Sequence, residues 1–206
     1  MNSLITLHSL PLFPLHTVLF PGGYMALRVF EIRYLNMVRC CREAGAPFGV
    51  VSLTRGHEVQ QPGTPTEKFH PVGTLASIIS VETLNTGLDL VHCKGRERFE
   101  IRSVRKLKYG LWVADVALLP ADRQLPIPED LSHTAAALQQ VMRKVPQRHY
   151  EDATAEQFTD CGWVANRWSE LLPMPDATRL QLLKLDSPLV RLELVTDALE
   201  RAGIVS

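Results

Sequence analysis

The sequence predicts an α+β protein: a compact β-barrel or folded sheet with one inserted helix, followed by a helical bundle. Up to residue 119, several short apolar segments have the character of strands, and one segment among them has helical periodicity. Beyond residue 128, every apolar segment has helical periodicity. The composition, 46% hydrophobic and 21% charged, is that of an ordinary globular protein. We therefore predict a β domain over residues 1–120 and a helical domain over residues 121–206.

An apolar leader, residues 10–23, opens the predicted β domain and contains Pro11, Pro14 and Pro21. Proline lacks a backbone donor and fixes φ, so we expect these positions to lie outside helix interiors and outside any central strand ladder. Each proline also favours extended geometry at the residue before it. The leader is therefore predicted as two extended pieces, residues 10–15 and 18–20, which end in a Pro-Gly-Gly turn and lie across the β core.

The next elements follow from the period of their apolar residues. Alternation predicts a strand over residues 24–30. A helix follows, with Arg33 on its polar face and Gly45 as its stop signal, and no capping residue defines its start. Its apolar stripe is Ile32, Leu35, Val38 and Cys41, widened by Tyr34, Met37 and Ala44. A continuous apolar run predicts a buried strand over residues 48–53. Residues 54–71 have no periodicity and many Pro, Gly and polar residues, which predicts a long functional or mobile loop.

The rest of the β domain is predicted as hairpin-connected strands. Many β-branched residues indicate a long strand over residues 72–84, and Asn85-Thr86-Gly87 is a hairpin turn signal. We expect two return strands, one that begins at Leu88 and a further one over residues 99–104. A last strand is expected within residues 111–119.

The helical domain is predicted to begin after a stiff, proline-rich connector over residues 119–128. The first helix has apolar residues at steps of three and four, namely Leu131, Ala135, Leu138, Met142 and Val145. Thr154 and Gln157 match a capping box for the second helix, with the stripe Phe158, Cys161, Ala165, Trp168 and Leu172. Asp176 is expected to cap a short third helix. Ser187-Pro188 predicts the start of the last helix, with the stripe Leu189, Leu192, Val195 and Leu199.

Charge and cysteine content narrow the classes of function. The formal net charge is zero, so no overall field attracts nucleic acid or an acidic membrane. No apolar run approaches the roughly 20 residues that span a bilayer, and the N-terminus does not match a secretory signal. The four cysteines form no C-x-x-C pair, which favours free thiols in a reducing compartment. We therefore expect a cytoplasmic protein with no membrane partner.

The leader reads L-P-L-F-P-L-x-x-x-L-F-P-G over residues 10–22. This pattern resembles the opening motif of the amino-terminal, substrate-binding domain of Lon-type proteases. Further stretches are similar to the family pattern and follow in its order: Val29-Phe30-Glu31-x-Arg33-Tyr34, Val72-Gly73-Thr74-Leu75-Ala76, Gly95-Arg96-Glu97-Arg98-Phe99-x-Ile101 and Leu172-Pro173-x-Pro175-Asp176. The resemblance covers nearly the whole chain and implies a PUA-like β-fold joined to a helical bundle.

The resemblance also implies a function. Lon proteases continue into an ATPase and a protease domain, whereas this sequence ends after the first module and contains no GxxxxGK[ST] phosphate loop. We therefore expect a free-standing, non-enzymatic member that binds polypeptide without ATP. In Lon this module engages unfolded or tagged polypeptide and assists oligomerisation. Such a polypeptide is the expected partner, and the expected role is that of an adaptor or chaperone-like protein in quality control. Whether the protein forms a homo-oligomer is left open by the sequence.

Two sets of residues are candidates for partner binding. For polypeptide, the candidates are the aromatic residues Tyr24 and Phe69, whereas Phe13 and Phe20 are expected to be buried. The alternative function is RNA binding, because PUA-like barrels include RNA binders. Its candidates lie in a basic run over residues 94–108 and share one strand parity, so that they share one face if no bulge intervenes: Lys94, Arg96, Arg98 and Arg102.

No catalytic, cofactor-binding or metal-binding residue is predicted. His92 and Cys93 are adjacent on a strand and therefore face opposite sides, which disfavours a shared metal ion. The helical cysteines lie at or near apolar stripes, where a thiol is a core residue rather than a nucleophile. A third, weaker hypothesis is a small-molecule hydrolase that uses the long loop as a lid and one of its histidines, His57 or His70, for catalysis.

Overall fold

The computed structural model describes residues 5–58, 67–144 and 153–205 of the chain. The chain divides into two compact units, Met1–Ala121 and Asp122–Ser206. Among the described residues, the first unit has six strands and one α-helix, and the second has four α-helices. The predicted α+β class, a β-fold with one inserted helix followed by helices, is confirmed. No helix in these described ranges is long and apolar enough to span a membrane.

The elements of the first unit follow the chain in the predicted order. They are β1 (Thr6–Leu15), β2 (Tyr24–Val29), α1 (Ile32–Ala44), β3 (Phe48–Arg55), β4 (Lys68–Asn85), β5 (Leu88–Lys106) and β6 (Trp112–Leu118). The sheet order is β2-β5-β4-β3-β1-β6, and β5 also pairs with β6. Strands β1, β3, β4, β5 and β6 therefore close into a ring. Strand β2 lies outside this ring and pairs with β5.

The position of the leader corrects one prediction. Pro11 and Pro14 lie within β1, which has β3 on one side and β6 on the other, so the expectation that they avoid a central strand was wrong. The register gives the reason. Pro11 is aligned with β6 alone, Pro14 is aligned with β3 alone, and Leu12 is the position registered with both. Each proline therefore has a paired strand on only one side. Its missing N–H can face the unpaired side, where the ladder needs no donor.

The two expected return strands are one strand. β5 runs unbroken for 19 residues, pairs with β2 along its first half and with β6 along its second, and pairs with β4 along most of its length. Register shifts against β4 lie between Thr74 and Ala76 and between Ile78 and Ser80. Such bulges bend a strand, so β5 serves two different neighbours without a break. The hairpin turn at Gly87 is as predicted, with φ 83°.

The helix α1 ends where predicted, and its buried face keeps Tyr34, Met37, Val38 and Cys41 of the predicted stripe but turns toward Arg33. Its buried residues are Arg33, Tyr34, Met37, Val38 and Cys41, whereas Ile32 is 76% exposed. The prediction placed Arg33 on the polar face and Ile32 in the stripe, and both placements were wrong. Gly45 ends the helix in the left-handed region, as predicted, with φ 60°.

Arg33 is buried because its charge is matched. Its guanidinium lies 3.1 Å from a Glu31 oxygen and 3.6 Å from a Glu67 oxygen, and it donates to the Gly110 carbonyl at 2.8 Å. It also lies over the Tyr34 ring, 4.5 Å from the centroid. A buried cation persists when such partners replace water.

The first unit buries two hydrophobic cores. One joins α1 to the sheet and includes Phe13, Tyr34, Phe48 and Val91. The other includes Leu12, Phe99 and Val116 from β1, β5 and β6. Phe13 and Phe20 are both buried, as predicted. Part of the long predicted loop belongs to strands, since β3 extends to Arg55 and β4 begins at Lys68, and residues 59–66 lie outside the described ranges.

The second unit contains α2 (Ser132–Met142), α3 (Cys161–Leu171), α4 (Asp176–Lys184) and α5 (Pro188–Arg201). Ser187 caps α5 through the Val190 N–H and Pro188 is its first residue, as predicted. For α3 the cap is Asp160, which accepts from the Trp163 N–H; Thr154 and Gln157 form half of the expected box at a short 3-10 turn instead. Asp176 is the first residue of α4, after a Pro175 cap position, rather than its cap. The predicted stripe residue Val145 lies outside the described residues.

The helices of the second unit pack around α3, which contacts α2, α4 and α5. Trp168 is buried at its centre and donates to the Thr134 carbonyl at 3.0 Å. The hydroxyls of Thr134 and Thr196 lie 3.0 Å apart, so a polar pair joins α2 to α5 inside the core. Each buried polar group in this set has a partner, as burial requires.

Candidate functional site: an open seam beside strand β2

The ring of strands leaves an opening next to β2. Strand β6 pairs with β1 as far as Leu12. The last three residues of β1, 13–15, pair with β3 on one side and with no described strand on the other. Strand β2 has β5 on one side and no other described strand on its outer side. We call the space between the outer edge of β2 and residues 13–15 of β1 the seam. Its volume is about 390 Å³, within the range of ligand sites.

The floor and walls of the seam are apolar. Phe13 and Tyr34 stack on its floor with ring centroids 4.1 Å apart. Burial raises the pKa of Tyr34 above its ordinary value, so the phenol stays neutral. Met25, Leu27 and Val29 line the β2 side. The floor and the β2 side of the seam therefore form a slot that suits apolar side chains.

One lining residue and a nearby apolar residue are exposed at the surface. Phe30 lines the seam and is 51% exposed, and Ile32, two residues further along, is 76% exposed. Sequence reasoning missed both as site residues. Their position was the available signal. Residues 29–32, at the junction of a strand and a helix, contain three large apolar residues, more than one strand face and one helix stripe can bury.

The backbone of β2 presents hydrogen-bonding groups to the seam. The Gly95 N–H donates to the Gly23 carbonyl at 2.8 Å, and the Cys93 thiol lies 3.4 Å from the Met25 carbonyl. The backbone N–H and C=O groups of the odd-numbered residues of β2 therefore point toward β5. Since a strand alternates, the N–H and C=O groups of Ala26 and Arg28 face away from β5. No backbone bond to them from another residue of the described ranges is found.

The rim of the seam has both signs of charge. Arg28 is exposed on β2, and Glu31 and Glu58 also line the opening. Glu31 is paired with the buried Arg33. Glu58 accepts from the His16 N–H and so connects the start of the long loop to the end of β1.

Close backbone contacts hold the end of the leader next to the seam. A Cβ on Gly95 would lie 2.1 Å from the Phe20 carbonyl oxygen. The Thr74 hydroxyl donates to the Leu19 carbonyl at 2.6 Å, and the Gly22 N–H donates to the Gly95 carbonyl at 2.9 Å. The motif segments in β4 and β5 thus hold the end of the leader against the sheet, next to the start of β2.

The aromatic candidates for polypeptide binding are separated. Tyr24 is half-buried at the start of β2, opposite Lys94 of β5, whose ammonium lies 4.8 Å from its ring centroid. Phe69 lies in β4 and packs edge-on against Trp112, with centroids 5.5 Å apart, beside the second core. The structure therefore places Tyr24 on the strand that borders the seam, and Phe69 elsewhere.

The basic candidates do not form one face. The register of β5 against β4 shifts between Gly95 and Arg98, and this bulge reverses the parity on which the prediction depended. Arg98 is 4% exposed and donates to the Pro120 carbonyl, whereas Arg96 is exposed and donates to the Ser77 hydroxyl. Arg102 lies 2.9 Å from a Glu100 carboxylate oxygen. The predicted continuous basic face was wrong.

The three buried cysteines are poorly suited to nucleophilic chemistry. All four are free, and Cys40 alone among them is exposed. Burial raises the pKa of Cys93 to about 12 and that of Cys41 to about 11, and it also raises the pKa of Cys161. Thiols with raised pKa values are protonated and unreactive near neutral pH.

The histidine candidates are also dispersed. His92 is half-buried and Cys93 is fully buried, on opposite sides of β5. His70 lies in β4 rather than in a loop, and its Nδ1 accepts from the Val72 N–H. Within residues 5–58, 67–144 and 153–205, no three His, Cys, Asp or Glu side chains come together as metal ligands would.

A comparison with protein families decides the relationship of the chain. Residues 9–201 match the model of the ATP-dependent protease La (LON) substrate-binding domain. The chain belongs to the Lon substrate-binding domain family. The match covers both units, so the helical unit is part of the family's domain as well as the β unit. The expectation drawn from the leader and the motifs that follow it is confirmed.

Solved structures show the same fold. The Lon N-terminal domain protein from Xanthomonas campestris superposes with a TM-score of 0.71 at 32% identity, over 93% of this chain and 98% of that one. The N-terminal domain of a Mycobacterium avium complex Lon protease superposes with a TM-score of 0.59 over 92% of this chain and 96% of that one. At 16% identity the second likeness concerns the fold alone.

Curated relatives are longer than the chain. Lon protease 4 of Sorangium cellulosum is 26% identical over 200 residues, which is 95% of this chain and 24% of that protein. Protein cereblon of Danio rerio is 24% identical over 250 aligned residues, which is 95% of this chain and 56% of that protein. The chain thus spans about a quarter of the Lon relative and about half of the cereblon relative. The family relationship supports substrate recognition as the general role of the matched domain.

Proposed function

We propose that this Lon substrate-binding domain is a non-enzymatic module that binds unfolded or tagged polypeptide and acts as an adaptor or chaperone-like protein in quality control. The family role of substrate binding supports a polypeptide ligand. The observation that carries the proposal is the seam, an apolar slot that reaches the surface at Phe30, with Ile32 exposed two residues further along the chain. Exposed apolar side chains beside a concave apolar site are typical of sites for protein ligands.

The expected affinity is moderate. Each large apolar side chain that is buried on binding contributes about 1.5–3 kcal/mol before the cost of ordering the ligand. A few such contacts suit reversible capture of many different segments. The proposal includes a reducing, cytoplasmic location, which the four free cysteines support. Binding is proposed to need no nucleotide.

The test is suppression of aggregation. Light scattering of reduced insulin is followed with and without the protein, and reduced, carboxymethylated α-lactalbumin is used for direct binding. We expect less scattering and measurable binding, and both effects should weaken in Phe30→Ser and Ile32→Ser. Ile79→Ser is the matched control, because Ile79 is 52% exposed on β4 and does not line the seam. Absence of binding to any unfolded polypeptide overturns the proposal.

RNA binding is the alternative that the basic run of β5 raised, and homo-oligomerisation is a second open point. The bulge that buries Arg98 weakens the RNA alternative, and no other feature of the described residues favours it. Salt-dependent RNA binding that is lost in Arg96→Ala and Arg102→Ala would establish it.

Sedimentation of the purified protein over a range of concentrations measures the oligomeric state.

A further inference from the structure

We infer that the seam binds its polypeptide as an added β-strand, hydrogen-bonded to the outer edge of β2. The inference rests on the proposed function and deepens it by naming the conformation of the ligand and the strand that receives it. It begins from the backbone of Ala26 and Arg28, whose N–H and C=O groups face the seam. Alternating donors and acceptors at strand spacing match the main chain of an extended polypeptide.

The receiving strand is β2 rather than β1. The six residues of β2 contain no proline, whereas the part of β1 that borders the seam is three residues long and includes Pro14, which has no N–H to donate. An added strand therefore obtains more hydrogen bonds from β2. Antiparallel addition is the favoured direction, since antiparallel pairs are slightly more stable than parallel ones.

The lining of the seam specifies the side chains of the ligand. Side chains of an added strand alternate between its two faces. One set would point to the floor made by Phe13 and Tyr34 and to the lining residue Leu27, so every second ligand residue should be apolar. Phe30 and Ile32 are exposed and can contact the same apolar side chains of the ligand at the surface. The sequence selected is a pattern of alternating apolar residues, not a fixed motif.

The rim argues against a nucleic-acid strand in this slot. Glu31 and Glu58 both border the opening, where a phosphate backbone would be repelled. Arg28 is the single cation among the residues that line the seam. A neutral or mixed-charge peptide meets no such penalty.

The experiment uses backbone methylation of a short probe. A fluorescent six-residue peptide with alternating Val and Thr, matched to the six residues of β2, is titrated by fluorescence anisotropy. In two further probes the amides of alternate residues are N-methylated, one probe for each parity. We expect one parity to lose affinity about tenfold, equivalent to about 1.4 kcal/mol, and the other to change little. Equal effects of the two parities overturn strand addition.

A variant of the protein provides the second arm. Ala26→Pro removes the outward N–H of β2 and leaves the ladder to β5 intact, while Ile79→Ser, on β4 and outside the seam, is the control. We expect weaker probe binding in the first variant and unchanged binding in the second. If carboxymethylated α-lactalbumin binds but both variants behave like the original protein, strand addition is wrong and the proposed function stands. If neither that protein nor the peptide binds, both fall.

Discussion

Phe13 and Tyr34 stack almost parallel, with ring centroids 4.1 Å apart and planes inclined by 15°. The first residue belongs to the leader strand β1 and the second to α1, so this pair joins the two elements on the floor of the seam. Phe48 of β3 lies 6.2 Å from the Phe13 ring and continues the cluster. A single aromatic group therefore serves both the stability of the unit and the shape of the site.

Phe13→Ala should destabilise the first unit by about 3–5 kcal/mol, because it removes a buried ring and leaves a cavity beneath the seam. Phe13→Leu keeps most of the volume and should cost less than half as much. Urea denaturation followed by circular dichroism measures both. Equal losses for the two variants would show that the ring contact, rather than the filled volume, dominates.

Alkaline pH should destabilise the first unit. Burial raises the pKa of Cys93 to about 12, that of Cys41 to about 11, and that of Tyr34 as well. In the unfolded chain these groups ionise near their ordinary values, about 8.5 for Cys and about 10 for Tyr, while the folded protein keeps their protons. Stability is therefore complete below about pH 8 and falls as the pH rises through this window.

The measurement is the unfolding free energy between pH 7 and pH 11, with Tyr34→Phe as the control. That variant cannot ionise at this position, so its decline above about pH 10 should be shallower than that of the original protein. Identical pH profiles would mean that Tyr34 titrates alike in the folded and unfolded states.

Gly95→Ala should displace the end of the leader. The added methyl would lie 2.1 Å from the Phe20 carbonyl oxygen, a backbone atom that cannot move without the turn that follows it. We expect a loss of about 3 kcal/mol, at the upper end for overpacking. Gly45→Ala is the control for a glycine without such a contact: no described atom lies within 4 Å of the added Cβ, and the left-handed φ of 60° alone is expected to cost about 1 kcal/mol of conformational strain. A loss at Gly95 no larger than at Gly45 would contradict the contact.

Asp122→Ala should destabilise the second unit strongly. The Arg191 guanidinium is buried, contacts both carboxylate oxygens of Asp122, and donates to Asn166 at 3.0 Å and to the Leu182 carbonyl at 3.0 Å. Removal of the carboxylate leaves a buried cation poorly compensated, at a cost of about 3–5 kcal/mol. Asp197→Ala, exposed on the same helix as Arg191, should change stability by no more than about 0.5 kcal/mol. Chemical denaturation of both variants tests this, and a small effect at Asp122 would mean that the remaining carbonyls suffice.

The sequence predicted those elements whose determinants are local. The period change at Ile32, the stop at Gly45 and the cap at Ser187 each depend on a few neighbouring residues, and the structure has all three boundaries. The leader motif also carried the family relationship, which the family match confirmed. Turn and cap chemistry is readable in sequence because it acts within four or five residues.

The errors arose where distant residues decide. Arg33 is buried because Glu67 and the Gly110 carbonyl come to it from other parts of the chain, which its own helix does not reveal. Arg98 turns inward because of a bulge, and a bulge depends on the partner strand. The seam has the same origin, since its existence follows from where β6 stops along β1, a matter of register rather than of any single motif.

The pairing of β1 with β6 has a consequence during synthesis on the ribosome. The leader emerges before both of its neighbouring strands, and one of them, the strand ending at Leu118, is about 100 residues later, a delay of roughly 5–20 s at ordinary translation rates. Until β6 emerges, the apolar side chains of the leader lack one of the two strands that flank them in the folded protein. A member of a substrate-binding domain family is itself, for those seconds, a substrate for the cell's chaperones.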